Sequence, residues 1–399
     1  MWYNNSAKKT WTEKCVLLST VPTLIVNKES MTKFQRVIIF CIVLVIVATA
    51  YFLFGNKELR KPIELNNKNQ SLPVVSTVPA NNGNVSPLSG LPCDNWNKRS
   101  FAVMQPADVS ARPLAGLSQA DMVIEMSAVY GSITRLMGVY GCNIPEEVGS
   151  LRSARHDFVH LAKSFDSIYV HWGRADIEQF KQILDSGFID DMNCNNDAGK
   201  SAGQYCFRKT AVGNMRGVDT GYAKFASLFE GAKNFGYRME NKFVGYPHQM
   251  EAPLEERPLG GNLRVAFAKP FDAEYDYDKE TNSFVRTWGG IVDTDRNTKE
   301  KIAPKNVVVM IADAAPIKVG EQYVNVQIGD PWFDQADSGA MFYYMNGKQY
   351  RGTWKKDKSS ADSKLLFLDE SGQEVKFVPG QIWVDIIDPG QALKWQPGQ

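Results

Sequence analysis

The hydrophobic pattern divides the chain into stretches of different period. From Val37 to Phe54 it is unbroken, "VIIFCIVLVIVATAYFLF", without a charge; at about 1.5 Å per residue a helix of this run spans roughly 27 Å, enough to cross a membrane once. Residues 55–87, rich in Asn, Ser and Pro, hold too few apolar positions to form a core and predict a tether. Beyond it "RSFAVM", "DMVIEM" and "SITRLMGVYG" read as strands, the last two joined through Tyr130, Gly131 and Ser132. The stretch "LRSARHDFVHLAKSF" (151–165) has helical period. At about 100° per residue Ala154, Phe158, Leu161, Ala162 and Phe165 share one side, while His156, His160 and Lys163 fall opposite as a polar stripe. "DSIYVHWG" predicts a strand, and "ADIEQFKQILDSG" and "TGYAKFASLFEGAKNFG" predict helices stopped by Gly187 and Gly236. Alternating helices and strands imply a layered α/β module over 88–250.

After about residue 255 the period changes to that of strands. "NLRVAFA", "NSFVRTWGG", "NVVVMIAD", "YVNVQIG", "AMFYYMNGKQYRGTW", "SKLLFLDESGQEVKFV" and "QIWVDIID" make 251–390 a β-rich module. Asn346-Gly347 and Ser371-Gly372 mark tight hairpins, and 391–399 reads as a tail.

Composition then narrows the class. A chain of 399 residues with 44% hydrophobic residues can bury a sizeable core and fits two domains. Lys and Arg number 45 against 44 acidic residues, so no global charge draws it to nucleic acid. Lys33 and Arg36 precede the apolar run, and "ATA" at 48–50 resembles a cleavage site, but Tyr51 to Phe54 continue the run beyond it, which favours an uncleaved anchor. Cys41 follows Phe40 inside the run and does not fit a lipid-attachment site. Lys57, Arg60 and Lys61 after the run partly offset the charge before it, so orientation rests on the cysteines. Beyond the anchor lie Cys93, Cys142, Cys194 and Cys206, an even number compatible with two disulfides in an oxidising compartment. Three pairings are open; the polar loop bracketed by Cys194 and Cys206 favours that pair and leaves Cys93 with Cys142, the alternative being four free thiols. The expected arrangement is a cytoplasmic segment 1–36, a single-pass anchor 37–54 and the bulk of the chain outside the cytoplasm. Residues 1–30 match no targeting pattern, and Met31 opens a second plausible start.

Several motifs together resemble a known family. "SGLPCDNWNKRSFAVM", "ARPLAGLSQADMVIEM", "GSITRLMGVYG", "VGSLRSAR" and "IYVHWG" are similar to the N-terminal module of the YerB-like lipoproteins, domain of unknown function 3048. "YDYDKETNSFVRTWGG", "NVVVMIAD", "GKQYRGTWKK" and "PGQIWVDIID" are similar to its C-terminal module. The resemblance covers roughly 88–390 and implies a bacterial envelope protein, often lipid-anchored, with an α/β module followed by a β-rich one; it implies no established reaction. The chain departs from the family at His156 and His160, where members carry an apolar or proline residue and a carboxylate. It also lacks the family's Pro-His-Asn element near "CFRKTAVGNMRGVDTGY".

Four candidate sites follow. "HDFVH" places two histidines at i and i+4 with Asp where a zinc protease has Glu; Asp157 is a methylene short and no third ligand has a recognisable spacing, so no metal or other cofactor is expected. Arg152 and Arg155 enter the predicted helix where unpaired N–H groups and forked guanidiniums suit phosphate or carboxylate oxygens. The competing reading is an internal ion pair with Glu125, which interrupts an apolar strand and is equally in reach of Arg135 on the next one. His171 ends a strand, where α/β sheets border their ligand crevices, and could line the cleft or act in proton transfer with Asp121 or Glu125. Trp288, Trp332, Tyr343, Tyr344, Trp354 and Trp383 make either a sugar or peptide platform or a β core. The leading expectation is an envelope protein binding an anionic wall polymer through Arg152, Arg155, Arg135 and His171. The rivals are a hydrolase or transferase using His171 with a carboxylate, and a structural scaffold.

Overall fold

The computed structural model describes residues 84–317, 324–326 and 336–398. The predicted anchor, the segment before it, Cys41, most of the tether and Trp332 lie outside them. No helix among the described residues is long and apolar enough to cross a membrane.

The first module holds β1 (Phe101–Pro106), β2 (Met122–Ser127), β3 (Thr134–Tyr140), β4 (Glu147–Gly149), α1 (His156–Ser164), β5 (Ile168–His171), α2 (Glu178–Asp185), β6 (Asp191–Asn193), β7 (Cys206–Arg208), β8 (Gly221–Lys224) and α3 (Phe225–Asn234). The second holds β9 (Gly261–Ala266), β10 (Asp272–Asp278), β11 (Ser283–Trp288), β12 (Ile291–Val292), β13 (Asn306–Ile311), β14 (Ala314–Pro316), β15 (Val324–Val326), β16 (Ser338–Met345), β17 (Lys348–Lys355), β18 (Leu366–Asp369), β19 (Ile382–Ile387) and β20 (Ala392–Pro397). The protein is thus β-rich, and its longest described helix has 10 residues.

A ten-stranded mixed sheet, ordered β18-β17-β16-β13-β19-β2-β3-β1-β5-β6, takes five strands from each module. The seam is the parallel pairing of β19 with β2, in which Asp385 lies opposite Glu125. Because both faces are covered, these strands read as unbroken buried runs rather than alternations. Met122, Ile124, Met126, Ile382, Val384 and Ile386 face α1 and α2, whose Phe158, Leu161 and Phe180 complete one core. Val123, Trp383 and Ile387 face the other way, into a core closed by Phe225 and Leu228 of α3 and by Leu263, Tyr275 and Phe284. The last three belong to a five-stranded sheet, β12-β11-β10-β9-β20.

Several expectations need correction. Gly221–Lys224, read as the start of a helix, is extended because its backbone pairs with β4 and β7; the helix begins only at Phe225. The tail is strand β20, paired along its length with β9. The end of the predicted tether belongs to the fold, since Ser86 is buried and its Oγ donates to Asp121 at 2.8 Å. His156 and His160 are not a solvated stripe but are buried. The face of α1 opposite the sheet is covered by Phe180, 6.3 Å from the His156 ring, by Phe188, 5.1 Å from the His160 ring, and by Val326, whose amide donates to Asp157 at 3.1 Å. The described members of the aromatic set, Trp288, Tyr343, Tyr344, Trp354 and Trp383, are core residues and form no platform.

Disulfides join Cys93 to Cys142 and Cys194 to Cys206, with Cα atoms 5.4 and 5.8 Å apart. Asn346 and Gly347 close the β16–β17 hairpin, both with positive φ, 52° and 68°. That pair of left-handed residues matches the right-handed twist of the strands it joins.

Candidate functional site

β1, β2, β5, β6, β13 and β19 run parallel to one another, so their carboxyl ends share one edge of the sheet, the edge at which such folds bind ligands. Arg135 reaches this edge from the amino end of the antiparallel β3, opposite Pro106 at the carboxyl end of β1. Asp108 follows β1 directly. Arg152 is brought in by a backbone that clamps to both neighbours: its N–H donates to Met104 and its carbonyl accepts from Trp172. Arg155 is the residue preceding the first turn of α1.

These residues form a compact ionic cluster. Arg152 Nη2 donates to Asp219 at 2.7 Å and Asp108 at 3.2 Å, and Arg135 Nη1 lies 3.4 Å from Asp108. Arg216 donates to Asp108 at 2.6 Å and, through Nε, to Asp219 at 2.9 Å, where Ser110 also donates. Three guanidiniums therefore surround two carboxylates, and Arg155 adds its charge beside them. Burial, then Arg155 and Arg152, lower the basicity of Arg135 to about 9, against the opposing pull of Asp108. Arg135 Nε and Arg152 Nε are buried without a hydrogen-bond partner. Arg216, half exposed, opens the cluster to solvent.

The cluster answers part of the sequence reading. Arg152, Arg155 and Arg135 are brought together, but Arg152 meets Asp108 and Asp219 rather than Glu125. Glu125 is fully buried on the opposite face of β2, accepting from Arg286 of β11 at 2.5 Å and from Thr134 at 2.7 Å. Asp121 accepts from Ser86, Ser89 and the amides of Gly141 and Cys142, a structural role near the Cys93–Cys142 bridge. His171 has no solvent exposure; its Nδ1 meets the Gly173 carbonyl at 2.7 Å and its Nε2 meets Asp191 at 3.1 Å. It lines no open cleft, and neither Asp121 nor Glu125 is its partner.

Sequence reasoning missed Asp108, Arg216 and Asp219, which sit in loops with no periodic signal. It also missed a second network behind the first. Asp385 accepts from Tyr275 at 2.8 Å and Trp383 at 3.0 Å, and Arg286 bridges Glu125 to Asp293, which Arg112 also holds at 2.5 Å. A signal was present, because Asp385 interrupts the apolar run "QIWVDIID" as Glu125 interrupts "DMVIEM". The two networks meet at consecutive residues, Thr134 bonding Glu125 and Arg135 bonding both the Thr134 carbonyl and Asp108.

A β-rich protein of two modules sharing one sheet, with an arginine cluster at the carboxyl edge of its parallel strands, is the class these features define. Residues 88–238 match the N-terminal domain, and 263–384 the C-terminal domain, of the family described as protein of unknown function DUF3048; the chain belongs to that family. It is 29% identical over 319 residues to the Bacillus subtilis (strain 168) protein named "Putative lipoprotein YerB", covering 79% of this chain and 89% of that one. The crystal structure of YerB from Bacillus subtilis superposes with a TM-score of 0.65 at 27% identity, over 78% of this chain and 99% of that chain. The segment "CFRKTAVGNMRGVDTGY" supplies Arg216 and Asp219.

Proposed function

We propose that this is a bacterial envelope protein, held at the membrane with its bulk outside the cytoplasm, whose arginine-lined strand edge binds the anionic groups of a wall polymer. The charge-free run Val37–Phe54, the two disulfides and the lipoprotein name of the relative support the location. The ligand class rests on one observation: three guanidiniums, with Arg155 adjacent, gather around two carboxylates at a solvent-reached ligand edge, and two of their N–H groups lack partners. Three guanidiniums against two carboxylates leave a positive balance that favours an incoming phosphate or carboxylate.

The test uses Arg155→Gln with Arg216→Gln, which spares the buried Arg152–Asp219 pair, since breaking such a pair costs about 3–5 kcal/mol. Binding of the full chain to a polyol-phosphate wall polymer is expected to weaken by at least about tenfold in this variant, with a shallower dependence on salt. Undiminished binding would sink the anion-site reading and leave the cluster as a scaffold of internal ion pairs. The hydrolase or transferase reading has no comparable support, because His171, Asp121 and Glu125 are each engaged with different partners.

A further inference from the structure

The opposite edge of the same sheet holds a cavity of about 390 Å³, lined by residues preceding β1, β5 and β6, by the end of α1, by the 238–244 connection and by 362–364. That volume is in the range of small-molecule sites, roughly 300–1,000 Å³. Its charges sort into two groups. Arg99 and Arg238 are taken up by Asp166 and Asp190: Arg99 meets Asp190 at 2.5 Å and the Asp166 carbonyl at 2.7 Å, and Arg238 chelates Asp166 through both Nη atoms. This quartet is neutral and builds the floor. The remaining lining charges are Lys163, Lys242 and Lys364 against Asp362 alone.

The lysines retain donor capacity. Lys163 spends one N–H on the Phe188 carbonyl and meets Asp362 at 3.1 Å, but Asp362 is 76% exposed, and an ion pair so exposed to water is worth about 0–1 kcal/mol. Lys364 donates to the Gly245 carbonyl and to Glu374, which lies outside the lining. Lys242 is exposed at the mouth. Counting Glu374 with the lining still leaves one surplus positive charge, and displacing Asp362 raises it to two. Phe188 and Phe243 supply apolar ring walls, with Lys163 4.8 Å from the Phe188 centroid.

We propose that this cavity binds a small phosphorylated sugar, its phosphate displacing Asp362 among Lys163, Lys242 and Lys364 and its ring lying against Phe188 and Phe243. Lysine ammonium groups act as point charges that suit a dianionic phosphate without demanding a fixed fork geometry. The volume and the ring walls argue for an organic portion rather than the bare ion.

Calorimetric titration of the full chain with glucose 6-phosphate tests this, with glucose and inorganic phosphate as comparison probes. Saturable binding of glucose 6-phosphate is expected, tighter than inorganic phosphate, with none for glucose. Lys163→Gln plus Lys242→Gln is expected to weaken it by at least about tenfold through lost charge-assisted contacts. Asp362→Asn removes the competing anion and is expected to tighten it, a gain that misfolding cannot mimic. The titrations are made in the Arg155→Gln plus Arg216→Gln background, which removes phosphate binding at the arginine cluster and leaves the signal to this cavity. The proposal is overturned if glucose 6-phosphate shows no saturable binding, if inorganic phosphate binds equally well, or if the lysine substitutions leave affinity intact.

Discussion

At the scale of single residues, the most consequential group is Asp385. Burial, then the neighbouring Glu125, raise its pKa from the ordinary 3.8 to about 8, while Arg286 opposes the shift. With Asp385 protonated, Glu125 and Asp293 balance Arg286 and Arg112, and the buried network is neutral. Burial resists the charge on Asp293, but Arg112 and Arg286 outweigh it and hold its carboxyl below the usual range. Between about pH 4 and 8 the folded state therefore keeps a proton that the unfolded chain has released, so this contribution to stability is complete below that window and is lost as pH rises through it. Asp385→Asn keeps a neutral side chain at every pH. Urea midpoints at pH 5, 7 and 9 should fall with pH in the parent and fall less in the variant; parallel curves would show that Asp385 does not hold its proton. Glu125 was legible as a buried carboxylate in need of a cation. Its partner was not, because Arg286 lies 161 positions away and reaches it only when β11 packs over β2.

Among the elements, the two disulfides differ in the loops they close, with sequence separations of 49 and 12. Loop-closure entropy makes the longer one worth about 4 kcal/mol and the shorter about 3 kcal/mol. Replacing Cys93 and Cys142 together by Ala should lower the unfolding free energy more than replacing Cys194 and Cys206, measured by denaturant titration without reductant; the reverse order would show that native packing outweighs the entropy. Helix α1 shows where period alone fails. Its apolar stripe was read from Phe158, Leu161 and Phe165, which do face the sheet. The wheel gave no means of knowing that Phe180, Phe188 and Val326 would cover the other side and bury His156 and His160. Strand β10 was legible and overlooked: Ala273, Tyr275 and Tyr277 alternate inward, but the acidic residues between them obscure the pattern. The Asn346-Gly347 hairpin was recognisable because a two-residue turn places its demand on the local backbone alone.

For the whole molecule, the decisive feature is the seam between β2 and β19. The first module contributes β2 as an interior strand whose edge is completed only by a strand from the end of the second. A fragment of residues 84–250 would leave that edge unpaired and strip Leu263, Tyr275 and Phe284 from the core that Val123 faces, a template for aggregation. Such a fragment is expected to aggregate or to lack a cooperative melt, as judged by size-exclusion chromatography and circular dichroism, whereas a monomeric fragment with a sharp transition would show that the modules fold apart. The same seam explains why the two halves of the chain differ in period and yet build a common pair of cores. The amino-acid sequence by itself determined most strand and helix runs, the tight hairpin, the near-neutral overall charge, the favoured cysteine pairs and the arginines that gather at a helix start. These depend on neighbours within a few turns of chain or on covalent chemistry. Tertiary structure alone decided that Arg152 meets Asp219 rather than Glu125, that His171 is closed off beside Asp191, and that the tail becomes an edge strand. Those outcomes depend on which surfaces remain to be covered once the central sheet has formed, and burial of an apolar face is indifferent to how far along the chain its cover comes from.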